Sequence, residues 1–181
     1  MSSETPKVQQ TAEEEEVLPP LTPFQHTKYN ALAKKMQYFH SYLQGEFEQA
    51  YEFADGSYTK RGMSFKSYLN SVDQFRMHLT MHHDIEEAHV FPKLAERMPE
   101  FRENERHKTS HKLIHDGLDR VEVAVKAFKK DPTKYKPETM REALDSFREP
   151  LYTHLAEEVR DLSAENMRKY WSIEDLKLIP M

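Results

Sequence analysis

The sequence predicts an all-α fold: an antiparallel up-and-down bundle of four helices. Three observations predict it. Apolar residues recur every three or four positions over four long stretches. Only four glycines occur in 181 residues, which favours long helices over sheets. Prolines and glycines punctuate short segments between the periodic stretches.

The first helix starts at Thr22-Pro23, a hydroxyl cap followed by proline at the first helical position. Tyr29, Leu32, Met36, Phe39, Leu43, Phe47, Ala50 and Ala54 carry it for about eight turns, until Asp55-Gly56 and Gly62. Ser64 caps a second helix, which Phe65, Tyr68, Leu69, Val72, Phe75, Leu79, Ile85, Val90 and Leu94 extend to about residue 97. Pro99 stops it. Pro92 lies inside the pattern and is expected to kink the helix, because its ring clashes with the preceding turn and it donates no hydrogen bond. A third helix is expected over 102–130, with Leu113, Ile114, Leu118, Val121, Val125 and Phe128 as its apolar face. Asp131-Pro132 breaks it. Pro137 opens a fourth, with Met140, Leu144, Phe147, Leu151, Leu155, Val159 and Leu162.

These elements divide the chain into three parts. Residues 1–21, with the Glu13–Glu16 run and Pro19-Pro20, read as a disordered lead. Residues 22–162 form the bundle. Residues 163–181 form a helical tail that packs on it, with Trp171 and Ile173 as anchors. No internal repeat of solenoid period is visible.

The formal net charge is −5, which argues against nucleic acid or an anionic membrane surface as a partner. There are no cysteines, which excludes disulfides, thiolate metal sites, iron–sulfur clusters and cysteine nucleophiles together. The first twenty residues have neither a basic n-region nor an apolar h-region, so no signal peptide is read. A cytoplasmic location is the expectation.

Polar residues interrupt the core-facing registers. The first helix has His40. The second has His82 and Glu86, the third His111 and His115, and the fourth His154 and Glu158. Residues four apart stand one above the other on a helix face, so each pair can aim two donors at one point. Together they offer five imidazoles and two carboxylates. Burying such a set without a metal would be costly. Seven ligands are too many for one tetrahedral zinc and suit two octahedral ions. Suppose both carboxylates and one solvent-derived oxygen bridge. An ion with His111, His115 and His154 is then full, and an ion with His40 and His82 keeps one position open. His83 and Glu87 form a second pair, rotated about 100° from the first, and only one pair can face a single centre squarely.

Other residues are read more modestly. Glu87 and Glu157 are expected to accept imidazole N–H bonds. His78 and His107 are expected at a polar bundle end, and His89 on the surface. His26 lies too close to the first helix start to compete with His40. Tyr38, Phe39, Phe75, Phe91 and Phe147 are candidates to wall a pocket. No general base is evident apart from the ligands.

His40, the HxxxE pair His82–Glu86, the HxxxH pair His111–His115 and the HxxxE pair His154–Glu158 resemble the hemerythrin-like, or HHE cation-binding, domain over roughly residues 24–162. The resemblance favours His82–Glu86 over His83–Glu87. It implies a four-helix bundle holding two non-haem Fe ions with an oxo or hydroxo bridge, Zn or Mn being substitutes. In the family's classical oxygen carriers one iron takes three histidines and the other two. Those carriers have an aspartate five residues after the fourth-helix histidine. Here that place is Val159, and the acid is Glu158. The function implied is binding of O2 or a related small ligand, nitric oxide or peroxide, for storage, sensing or protection. The alternatives are iron buffering or sensing without gas chemistry, and a di-iron enzyme that processes peroxide or nitric oxide.

Overall fold

Thr22 begins the first helix as read, accepting a hydrogen bond from the Gln25 N–H while Gln25 bonds back to the Thr22 N–H. The computed structural model describes residues 18–102 and 106–180. The lead assigned to residues 1–21 therefore falls largely outside the described residues. Seven α-helices run along the described residues: α1 (Pro23–Tyr29), α2 (Ala31–Glu52), α3 (Phe65–Ile85), α4 (Phe91–Ala95), α5 (Arg106–Lys130), α6 (Pro137–Asp161) and α7 (Ala164–Tyr170). No strand occurs among the described residues. None of their helices is long and apolar enough to cross a membrane.

Four long helices form a closed ring of neighbours. α2 packs on α3 and α6, and α5 packs on the same two. Two apolar clusters fill the interior. One holds Phe47, Phe75, Leu79, Ile114, Val121, Phe147 and Leu155. The other holds Leu32, Met36, Val90, Phe91, Leu94, Phe101, Leu162, Met167 and Trp171. On α2 His40 lies between Met36 of the second cluster and Leu43 of the first, and along α3 and its continuation His82 and Glu86 lie between Leu79 of the first and Val90 of the second. Trp171 is buried in the second cluster, with the Arg97 guanidinium 4.5 Å from its ring. Met167 and Ile179 of the tail are buried as well, whereas Ile173 is only half-buried.

Three expectations need correction. The first helix is broken at Asn30 (φ −85°, ψ 0°), so α1 and α2 are separate, and α1 packs against α7. The distortion expected at Pro92 falls one turn earlier, as a π turn over Glu86–Val90 that returns the Phe91 N–H to the Glu86 carbonyl. A wider turn just ahead of Pro92 takes up the disruption that the missing N–H and the bulky ring cause. Phe39 (43% exposed), Ile85 (50%) and Leu113 (51%) are not core residues. They stand at the margins of their apolar stripes, where the bundle leaves them uncovered. α6 also carries Pro150 inside it, and the helix continues through it to Asp161.

α5 and α6 approach closely at Gly117, where an added Cβ would lie 2.5 Å from Phe147 carbons. Gly117→Ala is expected to lower stability by about 1–2 kcal/mol. Overpacking costs ~1–3 kcal/mol and outweighs the ~1 kcal/mol that alanine gains in helix propensity. An unchanged or raised urea midpoint would contradict this.

Candidate metal centre

The two apolar clusters enclose a layer of buried polar groups. His40, His83, Glu86, His111, His154 and Glu158 are all at most 1% exposed. His82 is half-buried, with 13% of its side chain exposed. Two sets of donor atoms converge. His83, Glu86, His111 and His154 can meet at one point, and His40, His82, Glu86 and Glu158 at another. Glu86 belongs to both.

The distances support convergence. The Nε2 atoms of His111 and His154 lie 3.0 Å apart. Glu86 Oε2 is 3.5 Å from His111 Nε2, and Glu86 Oε1 is 2.9 Å from His82 Nε2. Glu158 Oε2 lies 3.4 Å from His40 Nε2 and 3.6 Å from His154 Nε2. The His83 ring stacks on that of His111, with centroids 3.8 Å apart.

Backbone and side-chain partners orient two of these rings. Nδ1 of His111 donates to Glu87 Oε1 at 2.7 Å, and Nδ1 of His40 donates to the Leu155 carbonyl at 3.1 Å. With the proton on Nδ1, each Nε2 lone pair is directed inward, as metal-bound histidines require. The π turn contributes as well. In an unbroken α-helix Phe91 would sit about 140° around from Glu86, five residues at about 100° each. The π bond brings Phe91 back over Glu86, where its ring lies 5.2 Å from that of His111.

The inner atoms lack protein partners. Both nitrogens of His83, both oxygens of Glu86 and of Glu158, and Nε2 of His40 and His82 are buried without a hydrogen-bond partner among the described residues. His82 Nε2 is close to Glu86, but off the hydrogen-bonding direction. Buried polar atoms are normally paired, and so many orphans in one layer fit a cation. Imidazole nitrogens with carboxylate oxygens suit first-row metals such as iron.

Electrostatics point the same way. Burial, and then the Glu158 carboxylate beside it, hold Glu86 well above the usual carboxylate range. Burial lowers His82 to about 4 and His111 to about 2, helped by neighbouring histidines. Burial also keeps His83 and His154 well below 6.5. These four histidines are thus held neutral, as imidazole ligands must be. A pH dependence follows for metal-stripped protein. Unfolded, these four histidines take up protons near 6.5; folded, they do not. Stability is therefore full above that value and falls as pH drops toward the folded values. Glu86 acts oppositely, since the folded state keeps its proton longer, but it is one group against four. Urea midpoints should fall between about pH 7 and pH 5. A rising midpoint would contradict the assignment.

Six of the seven residues expected to bind metal are brought together: His40, His82, Glu86, His111, His154 and Glu158. His115 is not. It is half-buried, outside both donor sets, with its ring 5.3 Å from that of His83. His83 takes the third nitrogen position beside His111 and His154. The supposed choice between His82 and His83 does not arise, because adjacent residues on α3 serve adjacent donor sets. Their doublet was the signal. Glu87 does orient His111, whereas Glu157 pairs with Arg106 and Arg160. His107 is not at a polar bundle end: it is buried, with Nε2 bound to Asp161 at 3.0 Å. His78 bonds Glu46 at 2.9 Å. Phe75 and Phe147 belong to the apolar core, while Tyr38 and Phe39 line a groove.

That groove, of about 530 Å³, lies between α2 and α3 and reaches His82 and Glu86 at its floor. It meets the second donor set, the one with two histidines.

Known proteins resemble this chain in the same region. Over 98 residues it is 33% identical to a protein of Cryptosporiopsis sp. (strain 8999) called dimeric xanthone biosynthesis cluster protein R11. The match takes in 54% of this chain and 36% of that protein, so the chain matches about a third of that relative's length. No solved structure matches. The family model for the hemerythrin HHE cation-binding domain matches residues 31–164, a span that holds all seven residues of the two donor sets. By that match, the chain belongs to the hemerythrin HHE cation-binding family.

Proposed function

We propose that this protein holds two iron ions in the buried layer and binds O2 or a related small ligand, nitric oxide or peroxide, at the groove-side ion. Storage, sensing or protection is the role this serves. The observation that carries the reading is the pair of donor sets sharing Glu86. In it, His83, His111 and His154 hold one ion with Glu86. His40 and His82 hold the other with Glu86 and Glu158. Each ion then takes four of these residues, three nitrogens and one carboxylate on one side and two nitrogens and two carboxylates on the other, so access distinguishes them. Access favours the second ion, because the groove reaches His82 and Glu86. Iron there would supply reversible electron donation to a small ligand. The protein's residues fix its position, and Leu79, Val90 and Phe91 exclude bulk water around the layer.

Cross-helix contacts support an antiparallel up-and-down arrangement of the four long helices. On α2 and α3, His40 meets His82 and Phe47 meets Phe75, so the numbering runs oppositely. The same reversal holds between α5 and α6, where His111 meets His154 and Arg120 meets Ser146.

Protein purified without air and then exposed to oxygen tests the reading. New near-ultraviolet and visible charge-transfer bands are expected, and their reversal under vacuum would mark a carrier. Iron-loaded protein with an unchanged spectrum would remove gas binding and leave iron buffering.

A further inference from the structure

We infer that the groove between α2 and α3 binds an apolar, ring-bearing organic molecule with a phenolic or carboxylic oxygen directed at His82 and Glu86. The inference rests on the di-iron reading only for the direction of that oxygen.

The groove is far larger than a diatomic ligand needs. Its volume of about 530 Å³ falls within the range of small-molecule sites. Its walls are the exposed apolar side chains of Tyr38, Phe39 and Tyr42 on α2 and of Met81 and Ile85 on α3, each between 43% and 74% exposed. Among the other large apolar residues of these two helices, only Met77 is comparably exposed. A contiguous apolar patch left open on a soluble domain marks a binding surface. Aromatic rings supply flat contacts, and methionine adapts to the outline of the guest.

Its charged or titratable lining is Lys35, which is exposed, His78, which is bonded to Glu46, and His82 and Glu86, whose placement selects the occupant. His82 and Glu86 converge at the inner end, where their side chains are 13% and 2% exposed. Only a slender group can reach them. A second protein surface would cover the walls and leave that end unpaired. A ring carrying one oxygen satisfies both parts.

Titration with 2-naphthol, followed by its fluorescence, tests this on the full chain, both metal-stripped and loaded with Mn²⁺. One saturable site per chain is expected. The double variant Phe39→Ala/Met81→Ala should weaken it about tenfold or more. Val123→Ala, an exposed residue of α5 outside the groove, should leave it unchanged. In the Mn²⁺-loaded protein the naphthol protons nearest the hydroxyl should broaden most. Absence of saturable binding, or equal affinity in the double variant, would overturn the inference. So would a wild-type dimer that blocks naphthol and dissociates in the double variant, which would assign the groove to a second copy. Uniform broadening would overturn the stated direction. A chain that takes up no Mn²⁺ yet binds naphthol through Phe39 keeps the groove site and removes the metal reading alone.

Discussion

Glu86→Ala is expected to empty both metal positions at once, whereas His40→Ala or His82→Ala should weaken mainly one. Glu86 is the residue shared by the two donor sets, and its carboxylate is 1% exposed between them. Removing a partner that merely orients a ligand costs ~10–100-fold in metal affinity, so loss of a shared ligand should cost on the order of 100-fold or more. The metal-free fold should survive. Its buried carboxyl lacks a hydrogen-bond partner, and deleting an uncompensated buried group relieves a cost. Metal content after dialysis, measured beside helicity, separates loss of metal from loss of fold. Retention of full metal by a folded Glu86→Ala protein would contradict the shared-ligand geometry.

His83→Ala should strip the centre about as thoroughly as His111→Ala, and His115→Ala should spare it. His83 has both nitrogens buried without a partner, and its ring is stacked on the His111 ring. His115 is half-buried and outside both sets. The helical spacing that joins His111 to His115 is therefore a poor guide here. Elemental analysis of the three variants decides the matter. Metal lost in His115→Ala but kept in His83→Ala would restore the HxxxH pair.

Much of the fold was legible because burial imposes a period on each helix. Thr22, Ser64 and Pro137 mark real helix starts, since capping and proline chemistry act locally. The break at Asn30 was not legible. The apolar stripe passes through it, and the turn there lets α1 dock on α7, a contact between residues far apart in the chain. Pro92 announced a distortion but not its form, because the π turn depends on what Glu86 and Phe91 must face. At the site, six of the converging residues followed from helical spacing. His82 and His83 were misjudged as rivals because a single focus was assumed. With two foci, neighbours about 100° apart on one helix can each serve one. His115 lies outside both donor sets, because i, i+4 spacing puts two residues on one face without fixing how far along the helix the donors converge.

The most direct test is elemental analysis of protein purified without air. Two irons per chain, one for each donor set, are the result that the proposed function predicts. A single zinc per chain, or a folded protein that takes up no metal when iron is supplied, would contradict the account.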